Sequence, residues 1–176
     1  MRELTNDEQA EISRDAALPQ LDARDLIDED HLERAIKEMY TEVALRPDGD
    51  FHFLTGRPLA EALGYDPGLL DRIPDPAAES FAGVGHYFDL AGLEEAESIV
   101  DLGSGSGTDL FCAAVQVGPA GRAIGIDMTP AQLDKSRHLA DEHGFAQVEI
   151  LEGRIEAVPL EDGIADCVVS NGVINL

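Results

Sequence analysis

The run Val100-Asp101-Leu102-Gly103-Ser104-Gly105-Ser106-Gly107-Thr108-Asp109 constrains this chain more than any other segment. A short apolar stretch ends in three alternating glycines and leads straight into a helical pattern, TDLFCAAVQVG. Glycines in that place let the backbone turn tightly and approach a ligand at a helix N-terminus. A plain strand-to-helix connection would use the same residues, so the neighbours have to decide. The spacing is GxGxG, whereas dinucleotide sites use GxGxxG. Asp101 stands two residues before the first glycine, where a carboxylate repels a pyrophosphate and attracts an ammonium group.

A second carboxylate, Asp127, closes the apolar run AIGID twenty residues after Gly107. A parallel sheet places an acid at that point beside a ribose, whose two hydroxyls it can accept. Met128 follows as an apolar shelf for a base, and Ile155 and Glu156 in GRIEAVPL are placed to cover and hydrogen-bond it. A nucleoside that also carries cationic groups fits both carboxylates, and S-adenosylmethionine carries an ammonium and a sulfonium. VEILEG and ADCVVSN read as further buried strands, and Thr129-Pro130 opens a helix that Gly144 stops. Strands alternating with helices of this length predict βαβ units and a parallel sheet, an α/β fold.

Upstream the character differs. Residues 1–30 hold ten carboxylates against three arginines and are expected to be a mobile or loosely docked lead-in. From His31 to about Ala44, Leu32, Ala35, Ile36, Met39, Tyr40 and Val43 fall at helical spacing. Pro47-Asp48-Gly49-Asp50 ends that helix, and residues 51–97 read as short helices and loops without an alternating strand. The organisation predicted is a lead-in (1–30), a helical cap (31–97) and a ligand-binding sheet domain (98–176).

Composition narrows the partners. The chain carries 36 Asp and Glu against 12 Lys and Arg, a formal net charge of -24, with two lysines, Lys37 and Lys135. A phosphate-backbone binder needs a basic patch, so nucleic acid is excluded, and anionic lipid is disfavoured. An acidic, lysine-poor surface suits solubility in concentrated salt, where self-repulsion is screened. Cys112 and Cys167 form neither a disulfide framework nor a metal site and read as buried small hydrophobes. No basic n-region precedes an apolar stretch and no apolar run approaches the length of a membrane span, so a soluble, cytoplasmic protein is expected. His52 and His86, in DFHF and GHYF, read as loop histidines within reach of a substrate pocket.

VDLGSGSGTD, IGIDMTPAQL, EGRIEAVPLEDG and DCVVSNGVINL together resemble a class I S-adenosylmethionine-dependent methyltransferase, and IGIDMT and SNGVINL are similar to its arsenite methyltransferase branch. The resemblance implies a Rossmann-like sheet in the order 3-2-1-4, S-adenosylmethionine as cofactor and a small-molecule methyl acceptor. It implies that Asp101, Gly103, Gly105 and Gly107 cradle the methionine part. Asp127 would hold the ribose, Ile155 and Glu156 the adenine, and Asn171 would line the methyl-transfer face. Tyr40 resembles a tyrosine that closes over the cofactor; core packing is its plainer reading. The family's acceptor cysteines correspond to Val84, in Gly83-Val84-Gly85, and to Gly172. The resemblance therefore leaves open arsenite or a related acceptor, a different small acceptor, or a non-catalytic cofactor-binding module. The family's sheet continues beyond a fourth strand, so the chain is expected to be part of a longer one, or to have that edge covered by self-association or a partner.

Overall fold

The structure, a computed structural model, describes residues 28–174. The chain divides between Ala35 and Ile36 into two units. In the first, the Asp28 carboxylate accepts from the His31 N–H at 2.9 Å and opens helix α1 (Glu29–Leu45), whose residues from Ile36 onward belong to the second unit. The helix starts two residues before the predicted His31 because an aspartate cap satisfies a free N–H of the first turn. The remainder of the acidic lead-in, up to residue 27, lies outside the described residues.

In the second unit four short helices precede the sheet: α2 (Arg57–Leu63), α3 (Pro67–Leu70), α4 (Asp75–Glu79) and α5 (Phe88–Ala91). The first three each carry proline in the opening turn, where its missing N–H costs nothing. Strands β1 (Ser98–Leu102), β2 (Arg122–Asp127), β3 (Val148–Glu152) and β4 (Cys167–Ser170) then form one parallel sheet in the order β3-β2-β1-β4, as the resemblance implied. Parallel neighbours require crossovers. Helix α6 (Thr108–Val117) joins β1 to β2, and α7 (Pro130–His143) joins β2 to β3.

The main core is continuous from the short helices to the sheet. Ala60, Tyr65, Leu70, Ile73, Ala77, Phe81 and Phe88 pack in one cluster with Ile99, Leu110, Phe111, Ala113, Ala123 and Leu139. Burying a side chain such as Leu110 or Phe111 stabilises by about 1.5–3 kcal/mol. The cap and the sheet domain read from the sequence thus share one interior. A smaller cluster of Val100, Ile124 and Ile126 lies under Leu160, Ile164 and Ala165 of the β3–β4 connection. Strand β4 pairs with β1, and its Val168 is 57% exposed. Among the described residues no helix is long and apolar enough to cross a membrane.

Candidate cofactor and acceptor site

The site is built where the carboxyl ends of β1, β2 and β4 meet the glycine turn, the edge at which open α/β sheets bind ligands. The three turn glycines all have positive φ but serve different ends. A Cβ on Gly103 would fall 2.2 Å from Val173 Cγ2, and one on Gly107 would fall 2.7 Å from the Phe111 ring, so both are demanded by packing. A Cβ on Gly105 would meet only Gln132, at 3.8 Å. Gly105 is therefore the point of the turn with room for a ligand beside the backbone.

Asp127 holds this turn. Its Oδ2 accepts from the Gly105 N–H at 2.9 Å and its Oδ1 from the Thr129 N–H at 2.8 Å. Burial raises its pKa, while the Thr129, Gly105 and Met128 amides pull it back toward the charged form. Its two oxygens are the kind of acceptor pair that a vicinal diol requires. Asp101 is in a harsher position. It is buried, its Oδ2 has no hydrogen-bond partner, and burial followed by Asp109 and Asp127 pushes its pKa well above the usual carboxylate range. The Tyr87 hydroxyl is also buried without a completed hydrogen bond, and after burial its largest influence is Asp101. An unpartnered buried carboxylate calls for a cation. The residues present therefore fit an ammonium-bearing nucleoside ligand.

Opposite the turn, Asn171 at the end of β4 is a hub. Its Oδ1 accepts from the Val84 N–H at 2.8 Å and the Gly85 N–H at 3.3 Å. Its Nδ2 donates to the Gly85 carbonyl at 2.9 Å, Asp109 Oδ2 at 3.0 Å and the Tyr65 hydroxyl at 3.2 Å. The Tyr65 hydroxyl donates in turn to Asp109 Oδ1. The Asn171 amide, expected at the methyl-transfer face, is thus fully engaged in holding the 83–85 loop. Gly83 has to be glycine for this, since a Cβ there would lie 2.5 Å from Asn171 Nδ2. Val84, Gly85, His86, Tyr87, Asn171 and Gly172 line a cavity of about 330 Å³. A Cβ on Gly172 would stand 3.8 Å from Val84 Cγ1, so the two positions that resemble the family's cysteines do come together. They present an isopropyl group and a hydrogen atom.

The other expected residues divide. Tyr40 is half-buried, and burial, followed by the charge of the Asp127 carboxylate, raises the pKa of its hydroxyl. Its ring stacks toward Phe53 with centroids 6.4 Å apart. Met128 is half-buried beside Asp127. The loop carrying Ile155 and Glu156 leaves Asp127 through a Gly153 N–H that donates to the Asp127 carbonyl at 3.0 Å. Glu156 is exposed and lies 3.6 Å from Arg154 Nε, and among the described residues no hydrogen bond ties it or Ile155 to the turn. Cys112 is buried and Cys167 half-buried. Burial raises both thiols, so neither is a reactive thiolate. His86 packs against Tyr65 and Phe88 and lines the cavity, whereas His52 is exposed. Sequence reasoning missed Tyr65, Tyr87 and Asp109. Only Asp109 carried a signal, an acid in the first turn of a buried helix next to the glycines.

A sheet of this order, with a carboxylate before a GxGxG turn and a second at the next strand end, defines a class I, Rossmann-like methyltransferase fold. Residues 93–176 match the model of a methyltransferase domain family. The arsenite methyltransferase of Halobacterium salinarum is 38% identical over 117 residues, 66% of this chain and 30% of that protein. The arsenite methyltransferase of Aquipseudomonas alcaligenes is 45% identical over 85 residues, 44% of this chain and 25% of that protein. The crystal structure of an arsenic(III) S-adenosylmethionine methyltransferase from Chlamydomonas reinhardtii superposes with a TM-score of 0.53 at 35% identity, covering 62% of this chain and 39% of that one. The chain thus spans between a quarter and two fifths of these proteins. Within that span it is similar to class I S-adenosylmethionine-dependent methyltransferases, and to arsenite methyltransferases among them.

Proposed function

We propose that this chain carries the cofactor-binding part of a methyltransferase whose acceptor is a small molecule. The observation that carries this reading is the pair of carboxylates around the open turn at Gly105, Asp127 tied to the turn's own amides and Asp101 buried with an oxygen that has no partner. Asp127 would hold the ribose, Met128 would flank the adenine, and Asp101 would face the ammonium group with Tyr87 beside it. When bound, S-adenosylmethionine supplies a methyl group on a sulfonium, open to in-line displacement by the acceptor's nucleophilic atom. The chain's own part is alignment and exclusion of water. Tyr40 would cover the Asp127 side, and Asn171 would keep the 83–87 loop fixed over the cavity. Ile155 and Glu156 would come into play at the rim as the adenine seats.

A second reading concerns the acceptor. Trivalent arsenic is a soft centre best held by thiolates. Positions 84 and 172 meet at the cavity but offer valine and glycine. This favours an acceptor held by shape and apolar contact over one held by a thiolate pair at these positions. Calorimetric titration of the chain with S-adenosylmethionine in molar potassium chloride tests the cofactor reading. One-to-one micromolar binding is the expected result, and no heat from a folded sample would sink it. Methyl-labelled donor offered with arsenite and thiol, beside a metabolite extract, tests the acceptor. Label in an organic product is expected, and label in arsenic species alone would overturn the second reading.

A further inference from the structure

A helix C-terminus leaves four carbonyls without partners and carries a partial negative charge. Helix α1 has no basic residue in its last turn, and Arg46, one residue beyond, is paired with Glu42. The missing cation comes from another helix. Lys135 of α7 donates from Nζ to the Ala44 carbonyl at 2.9 Å and to Ser80 Oγ at 2.7 Å. The Ser80 hydroxyl donates onward to the Val43 carbonyl at 3.2 Å, so the last buried turn of α1 is satisfied through one ammonium and one hydroxyl. Burial of the lysine lowers its pKa, while Glu79 supports its charge. A half-buried lysine is a costly device in a chain that has only two lysines.

Three residues earlier on α7, Gln132 makes a second tie. It is 3% exposed, its Nε2 donates to the Tyr40 carbonyl at 2.8 Å, and its Oε1 accepts from the Ser106 hydroxyl in the glycine turn. The backbone at Tyr40 is therefore linked through one side chain to the turn itself, and one turn of α1 later through Lys135 to α4.

We propose that Lys135 and Gln132 are positioning residues, a two-point clamp that fixes the end of α1 against α7 and the glycine turn and so keeps Tyr40 over the Asp127 carboxylate. The link to ligand binding rests on the cofactor reading above, whereas the clamp itself rests on the hydrogen bonds.

The test is amide hydrogen exchange of the full chain, paired with calorimetric titration by S-adenosylhomocysteine. Lys135→Met should speed exchange over residues 40–46 by about tenfold relative to β1 and β2, and weaken binding by about tenfold. Lys135→Arg, which keeps a cation on a long stem, should restore most of both. Gln132→Ala should move the same amides, and it carries the test if Lys135→Met fails to fold. A role in general stability alone would raise exchange across the whole sheet with no local excess. That pattern, or unchanged exchange over residues 40–46, overturns the clamp. Local opening without weaker binding overturns its link to the cofactor. If the folded wild-type chain binds no S-adenosylhomocysteine, the cofactor reading fails, and the exchange pattern alone decides the clamp.

Discussion

The two sides of this site are made by opposite means. On the donor side, at the ends of β1 and β2, a buried acceptor is left with spare capacity: Asp101 Oδ2 has no partner, while Asp127 is held by the amides of the neighbouring turns. On the acceptor side, at the end of β4, the polar groups are used up, because Asn171 makes five contacts to the 83–85 loop, Asp109 and Tyr65. What remains facing the cavity beside them is largely apolar. Spare hydrogen-bonding capacity inside a protein is expensive and is kept where a ligand completes it. A saturated hub stabilises a wall. On the proposed reading, the donor side would receive a cation-bearing nucleoside and the acceptor side would hold its acceptor by shape.

The largest expected effect comes from breaking the wall. Asn171→Ala strips partners from Asp109, Tyr65 and the loop backbone at once and should cost about 3 kcal/mol in urea unfolding. Asn171→Asp keeps the accepting oxygen but sets a carboxylate against Asp109. Its deficit should exceed that of the alanine variant at neutral pH and shrink as the pH is lowered.

Next comes Asp127→Ala, which should weaken cofactor binding by about 1–3 kcal/mol in calorimetry. Since Asp127 also ties down Gly105, the Gly105 amide should exchange faster even without ligand. Faster exchange with undiminished binding would reduce Asp127 to a structural residue and erase the contrast between the two sides.

Asp101→Asn sharpens the contrast most directly. The folded pKa of Asp101 is raised above the unfolded value of 3.8, so the stability it contributes is present below 3.8 and is lost as pH rises through the folded value. At neutral pH the substitution should therefore raise the melting temperature of the ligand-free chain while weakening S-adenosylhomocysteine binding about tenfold. Melts between pH 5 and 8 check the sign, and a lower melting temperature for the variant throughout would refute it. The smallest effect belongs to Gly105→Ala, whose Cβ meets only Gln132 at an ordinary contact distance and which should cost about 1–2 kcal/mol from its positive φ alone, clearly less than Gly103→Ala against Val173.

Much of this was legible along the chain because it depends on local spacing. The turn glycines, Asp101 one strand residue before them and Asp127 at the end of the next strand lie in two short segments. Parallel pairing of β1 with β2 brings those segments together without further instruction. Helix α1 and the parallel sheet were legible for the same reason, since periodicity and alternation of elements are sequence properties, whereas the strand order was implied by the family resemblance. Glu156 is of a different kind: only its order in the motif points to the adenine, and the fold leaves it exposed beside Arg154.

By itself the sequence determined the parallel sheet, the glycine turn and the two carboxylates that flank it. Only the tertiary structure decided that Asn171 is a latch, that Val84 and Gly172 meet, and that Lys135 serves the end of a helix 91 positions away. These rest on contacts between residues far apart in the chain, and no local pattern specifies which buried hydrogen bonds such residues complete. That pairing is fixed when the core closes and each buried polar group has to find a partner or be left, as Asp101 is, for a ligand.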